Sequence, residues 1–334
     1  MQATKSQPMS RLEVLGLVAR DIERVEKAIG TESVCSVDAV TAISNHLQKS
    51  GGKRLRPALL LLAAGACGRQ PEDESAIRLG AVVELIHTAT LVHDDVIDKA
   101  EVRRGRPSSN LRWGNQTSVL AGDWLYMQAF QLALRERNFY VLDLLIELTR
   151  MMVEGELMQM DWVGRLDLSE EEHLDLVNRK TACLFSVCCR MGAIVAGADS
   201  AIEQRMGEYG WNLGMAFQLV DDLLDFTASE EVLGKPVGND LREGKVTLPL
   251  ILALRKCDGG EREAIGAVIH DEAYESVSAG RIVEILEKYG AIETVRRRVI
   301  EYSEKSAEQL SPLPETPFKR ALLSVTEWMV DRES

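Results

Sequence analysis

Two copies of one acidic pattern, Asp94-Asp95-Val96-Ile97-Asp98 and Asp221-Asp222-Leu223-Leu224-Asp225, constrain the fold of this 334-residue chain more than any other feature. Each is set among apolar residues: Leu91, Val92, Val96 and Ile97 around the first, and Leu219, Val220, Leu223 and Phe226 around the second. A solvated helix face would show mixed charge there. On a helix the outer carboxylates of each triad lie one turn apart on one face, with the middle one about 100° around the axis. Two carboxylates at ~4 Å repel by roughly 4 kcal/mol at an effective dielectric near 20, so such a cluster needs protons, basic partners or hard cations. Oxygen-only ligands favour Mg²⁺ over zinc or copper. The triads begin 127 positions apart (221 − 94), and their cooperation requires the intervening chain to fold as one bundle with both facing a common cavity.

The rest of the sequence agrees with a helical bundle. Apolar residues recur at helical spacing, as in Ile77, Val82, Leu85, Ile86, Ala89 and Val92, while sustained apolar–polar alternation is absent. No proline occurs between Pro107 and Pro236, which suits a succession of long helices. Ser169 followed by Glu172 forms a capping box that predicts a helix running to about Gly197. Breaks at Gly51-Gly52, Pro71, Gly105 to Pro107, Asn138, Gly234 to Asn239, Asp258 to Gly260, Gly290 and Ser311 to Pro317 divide the chain into about ten or more helices. None is a long Ser/Gly/Pro linker, so the expectation is an all-α fold in a single domain over residues 1–334.

A net charge of −13 argues against nucleic-acid binding, for which a basic face is expected. Six cysteines show no CxxC pair, and Cys183, Cys188 and Cys189 sit in an apolar helical stretch as core thiols would. A reducing, cytoplasmic setting is expected. The N-terminal ten residues lack the apolar core of a secretory signal. The longest uncharged apolar run, Pro57 to Gly68, falls short of the ~20 residues that span a bilayer. No transmembrane segment is therefore expected, although an apolar patch would allow transient membrane contact.

Cations stand out against this acidic background. Arg103, Arg104 and Arg106 follow the first triad, and arginine forks beside a carboxylate-held Mg²⁺ make a natural diphosphate clamp. Their competing role is ion pairing to Asp98 or Glu101. Gly51-Gly52-Lys53-Arg54-Leu55-Arg56-Pro57 places cations before an apolar helix, whose N-terminus attracts anions, but lacks the spacing of a P-loop. Lys235 and Lys245 follow the second triad. Gln218 lies one turn before Asp221 on the same helical face, and Lys180-Thr181 puts an ammonium and a hydroxyl into an otherwise apolar helix. His87 shares a helical face with Asp94, seven residues on, and suits a phosphate donor; His93 suits a structural hydrogen bond. No Cys/His zinc set or Ser-His-Asp constellation accompanies them.

Taken together, Gly51 to Pro57, His93 to Asp98 with Arg103-Arg104, Lys180-Thr181, and Gln218 to Asp225 with Lys235 and Lys245 resemble the trans-isoprenyl diphosphate synthases, with motifs in that family's order across most of the chain. The resemblance implies an isoprenoid synthase fold and a prenyltransferase that joins isopentenyl diphosphate to an allylic diphosphate. It implies about three Mg²⁺ held by Asp94, Asp95, Asp98, Asp221, Asp222 and Asp225. It also implies that Arg103, Lys180, Thr181, Gln218, Lys235 and Lys245 face the allylic substrate, while Lys53, Arg56, His87 and Arg104 bind isopentenyl diphosphate. Family members commonly form homodimers. Ala89 and Thr90 are small where a bulky aromatic would shorten the product pocket, and Ile86, Leu134 and Leu145 are candidates for its deeper lining. The resemblance implies an apolar tunnel that keeps water from the reacting cation and a product of roughly C35 to C50 for a quinone side chain. A class I terpene cyclase shares the fold, but DDLLD replaces its usual Asn/Ser/Glu motif here; a non-catalytic subunit would not need all six acids.

Overall fold

The computed structural model of the chain describes residues 8–49, 54–70, 73–228 and 238–331, which places Lys53 and Lys235 outside the described residues. Among the described residues the chain is helical apart from one short hairpin. The fold is all-α, as the periodicity predicts. The described residues fall into two compact units.

The first unit runs to Thr149 and includes Val187–Gly207 and Pro312–Ser324. It holds α1 (Arg11–Glu32), α2 (Asp38–Lys49), α3 (Leu55–Ala66), α4 (Glu74–Ile97), a hairpin of β1 (Val102–Arg103) and β2 (Arg106–Pro107), α5 (Ser109–Trp113), α6 (Asn115–Leu134) and the first half of α7 (Phe139–Trp162). The α4 helix begins where the Asp73 side chain accepts from the Ser75 N–H at 2.8 Å. From Ala76 to Val92 it is buried on nearly every side, against α6, α3 and α1. An all-round apolar helix is stable only inside a protein, and each fully buried Leu, Ile or Val there contributes about 1.5–3 kcal/mol. This revises the hydropathy reading: an 18-residue window of α4 averages 1.4, enough by length and composition to cross a membrane. Because 67 % of that window is buried inside the protein, α4 has the character of a core helix. It meets α6 closely at Gly122, where an added Cβ would fall 2.2 Å from His93 Nε2.

The second unit comprises Arg150–Ser186, Glu208–Ser311 and the described residues from Val325. Here α8 (Glu170–Val177) starts at the expected capping box, with the Glu172 N–H on Ser169 Oγ at 3.1 Å and the Ser169 N–H on Glu172 Oε2 at 2.8 Å. Helical structure then continues, as predicted, through a π-helical turn at Asn178–Ala182 into α9 (Cys183–Val195). The second triad lies near the end of α10 (Ser200–Thr227). Its Gly214 faces Ala182 Cα, which a Cβ would approach to 2.6 Å, so the absence of a side chain lets the π turn lie directly on the triad-bearing helix. After α10 come α11 (Asn239–Arg242), α12 (Leu248–Leu254), α13 (Gly259–Asp271), α14 (Ala279–Lys288) and α15 (Ala291–Gln309), and the C-terminal α16 (Pro317–Asp331) passes through both residue groups. The core beneath the π turn is Val177, Ala182 and Met215, flanked by Trp211 and Tyr302.

Candidate active site

In the first unit the three acids of DDVID have different surroundings. Asp98 caps the C-terminus of α4 and is exposed, Asp94 is half-buried one turn earlier, and Asp95 is fully buried. Both Arg103 Nε and Nη2 lie 2.7 Å from Asp95 Oδ1, and the Ser109 N–H reaches Oδ2 at 3.5 Å. Asp95 therefore anchors the basic hairpin to α4. The hairpin turns at Arg104-Gly105, with φ of 53° and 74°, the left-handed pair of a type I′ turn. Ion pairing, the competing role for Arg103, had Asp98 or Glu101 as its candidates; Arg103 pairs with Asp95. His93 has the structural role expected of it, donating from Nε2 to the Val119 carbonyl at 3.0 Å. Burial, and then the charges of Asp94 and Asp123, push the Tyr126 hydroxyl above its usual pKa.

Around the middle of α4 lies a set of cations. Arg54 precedes α3 in the left-handed region, φ 45°, and donates from Nη1 to Glu84 at 2.8 Å and from Nε to Glu26 at 3.0 Å. Burial opposes its charge, but Glu84 and Glu26 outweigh that and raise its pKa. Arg56 Nη1 lies 3.0 Å from His87 Nε2. A guanidinium can only donate, so Nε2 accepts and the imidazole proton belongs on Nδ1. Burial first, then Arg56, Arg104, Arg103 and Arg54, hold the His87 pKa well below 6.5. His87 is thus neutral, with Nδ1–H as the donor it can offer a phosphate. Burial also lowers the pKa of Arg104, with Glu84 opposing and Arg54 and Arg103 reinforcing the shift. These mutual effects identify Arg54, Arg56, His87, Arg103 and Arg104 as one electropositive group.

In the second unit a chain of hydrogen bonds organises the DDLLD motif. Thr181 Oγ1 donates to Gln218 Oε1 at 2.8 Å, and Gln218 Nε2 donates to Asp222 Oδ1 at 3.0 Å. His173 Nε2 lies 3.0 Å from Asp222 Oδ2. The structure thus brings Thr181, Gln218 and Asp222 together, and adds His173, of which the sequence revealed only the capping box at its helix start. Lys180, on the π turn, does have partners, Glu156 at 2.6 Å and Gln159 at 2.8 Å. Asp221 is half-buried and Asp225 buried. The Asp225 carboxylate accepts from the Asp240 N–H at 3.1 Å and its carbonyl from the Gly238 N–H at 2.7 Å, while Tyr274 donates to the Gly238 carbonyl at 2.8 Å. Lys245 pairs with Glu243 at 2.8 Å.

Among the described residues no group of three or more His, Cys, Asp and Glu side chains forms a metal cage. Mg²⁺ is commonly held by one or two carboxylates, waters and substrate phosphates. Asp94 and Asp98, hard oxygen donors at a water-facing helix end, fit such an ion, as does the half-buried Asp221. Asp95, Asp222 and Asp225 are buried and accept from protein donors.

Of the candidates for the product pocket, Ile86, Ala89 and Leu145 are completely buried. Thr90 is half-buried and donates to the His87 carbonyl at 2.8 Å. Leu134 is a correction: it ends α6, is 47 % exposed, and follows exposed Met127 by two turns, so it belongs to an outer face.

The sequence matches the Polyprenyl synthetase family over residues 37–286. It is 37 % identical over 320 residues to the all-trans-nonaprenyl-diphosphate synthase (geranyl-diphosphate specific) of Rhodobacter capsulatus, covering 96 % of this chain and 97 % of that protein. A geranylgeranyl diphosphate synthase of Sulfolobus acidocaldarius is 40 % identical over a shorter 253 residues, 74 % of this chain and 76 % of that protein. The polyprenyl synthase of Caulobacter crescentus complexed with calcium and isoprenyl diphosphate has a TM-score of 0.91 at 35 % identity, covering 99 % of this chain and 100 % of that one.

Proposed function

Because the chain belongs to the polyprenyl synthetase family, whose members are prenyltransferases, we propose that it condenses isopentenyl diphosphate with an allylic diphosphate and elongates it to a long all-trans polyprenyl diphosphate. The observation that carries this reading is the row of cations along the helix that ends in the first triad, Arg54 on Glu84, Arg56 on His87 and Arg103 on Asp95. Anions and cations so arranged suit a diphosphate bound through both metal and guanidinium.

Divalent cations, when held by Asp94, Asp98 and Asp221, would supply positive charge to the departing diphosphate. The resemblance sets their expected number at three Mg²⁺, with Asp95, Asp222 and Asp225 completing the motif. Arg56, the His87 Nδ1–H and Arg104, with Lys53, would bind isopentenyl diphosphate. Arg103, Lys180, Thr181, Gln218 and Lys245, with Lys235, would bind the allylic diphosphate. Lys180 must exchange its contacts with Glu156 and Gln159 for phosphate oxygens as substrate enters. Cleavage of the allylic C–O bond leaves a carbocation, the isopentenyl double bond attacks it, and a proton is lost to the released diphosphate. Apolar residues such as Ile86 and Ala89 keep water from the cation.

A homodimer is part of the proposal. Leu120, Met127 and Leu134 recur every seven residues as an exposed apolar stripe on α6, and Phe139, Ile146, Val153 and Met160 do so on α7; such a stripe suits a helix-to-helix interface. Sedimentation of a monomer at micromolar concentration would refute it. A cytoplasmic setting fits the six free thiols. The second reading is a shorter product, favoured by the geranylgeranyl-forming relatives. Incubation with Mg²⁺, labelled isopentenyl diphosphate and an allylic starter tests the proposal. Metal-dependent elongation supports it, whereas a cyclic hydrocarbon or no turnover rejects it.

A further inference from the structure

Asp222 is only 2 % exposed, and both its carboxylate oxygens are committed: Oδ1 to Gln218 Nε2 at 3.0 Å, Oδ2 to His173 Nε2 at 3.0 Å. His173 is itself 5 % exposed. An ionised carboxylate only accepts, so the His173 Nε2 donates. The consequence runs along the whole chain of bonds. With Oδ2 held by His173, Oδ1 faces Gln218 and takes its amide N–H, which turns Gln218 Oε1 towards the Thr181 hydroxyl at 2.8 Å. Without His173 the carboxylate would be free to rotate, and the Gln218 amide would lose the partner that decides which way round it sits.

We propose that His173 is a positioning residue, acting through Asp222 to set the orientation of the Gln218 amide and the Thr181 hydroxyl for the allylic diphosphate. This rests on the function proposed above, in which Gln218 and Thr181 face that substrate. Two further features favour a positioning role. Thr181 sits on the π turn, Asn178–Ala182, a rare helical form that re-aims side chains and is frequent at functional sites. The turn lies on α10 through the Gly214 contact, so the two ends of the chain are joined by rigid helical backbone. Partners that orient a site's side chains typically change affinity or activity by about 10- to 100-fold when removed.

The test uses the full-length protein with His173→Leu and His173→Gln; the Gln amide nitrogen occupies about the place of the imidazole Nε2 and retains its N–H. Two quantities are read: KM for each substrate in steady state, and the affinity for inorganic pyrophosphate in the presence of Mg²⁺ by calorimetry. His173→Leu is expected to raise the allylic KM and weaken pyrophosphate binding about tenfold while leaving the isopentenyl KM within about twofold. His173→Gln should recover both to within about threefold. Equal losses in the two variants, or losses in both KM values that follow a fall in thermal midpoint, would show a merely structural histidine and overturn the proposal. So would unchanged kinetics in His173→Leu. Asp221→Ala is the control: if it loses turnover while His173→Leu does not, only this inference fails; if it retains full turnover, the underlying reading fails and takes the inference with it.

Discussion

The ion pair behind the electropositive group gives a quantitative test in Glu84→Gln. Arg54 Nη1 and Glu84 Oε1 are 2.8 Å apart, with side chains only 12 % and 6 % exposed. Removing one partner of a buried pair costs about 3–5 kcal/mol. Glutamine keeps an acceptor oxygen and nearly the same volume, and Arg54 retains Glu26 at 3.0 Å, so the loss falls to about 2–3 kcal/mol. For a chain of this size that lowers the thermal midpoint by roughly 5 °C. A functional effect should accompany it. Arg54 holds a left-handed conformation, φ 45°, of a kind costing of order 1 kcal/mol or more in a non-glycine residue; Glu84 helps hold it there, two residues before Arg56. Released, this turn shifts Arg56 relative to His87, and the isopentenyl KM should rise about tenfold with the allylic KM unchanged. Differential scanning fluorimetry and initial-rate kinetics measure both. A variant as stable as the parent, or one in which both KM values rise together, would refute the reasoning.

Three other outcomes follow from the same geometry. Asp94→Ala and Asp221→Ala should each lower kcat by at least ~10³, and the double variant should be little worse than either, because groups that act as a unit are non-additive; multiplicative losses in single-turnover assays would contradict this. Ala89→Phe should shorten the main product by about two or more C5 units, since the added ring has no free volume to occupy in a close-packed interior other than the product's; an unchanged chain-length profile would remove Ala89 from the pocket. His87, with its folded pKa held well below 6.5, contributes stability that is full above pH 6.5 and is lost as pH falls below it towards the folded value. The parent should therefore lose up to about 2 kcal/mol more than His87→Asn between pH 7 and pH 5, as thermal midpoints against pH would show.

Patterned features were legible in the sequence. Helical periodicity, the Ser169/Glu172 capping box and the two acid triads each repeat a spacing that the backbone geometry imposes, so the all-α fold could be read directly and the candidate site residues singled out. Features set by tertiary contact were not. Nothing near His173 in the sequence points to Asp222, 49 positions away, and the π turn at Asn178–Ala182 depends on α10 packing against it. The triads look alike as strings, yet burial distinguishes Asp95, Asp222 and Asp225 from Asp94, Asp98 and Asp221, because helix rotation turns some acids inward. Leu134 reads as a candidate for the pocket lining, but α6 presents that face outward. The α4 helix, legible by its apolar spacing, is apolar nearly all round because neighbours cover each side.

The most direct test of the account is the chain-length distribution made by the purified protein from labelled isopentenyl diphosphate, an allylic starter and Mg²⁺, resolved after dephosphorylation. The account predicts linear all-trans products beyond C20, centred in the C35 to C50 range that includes the product of the nonaprenyl-forming relative. Accumulation of C15 or C20 products alone, with no longer species on extended incubation, would contradict it.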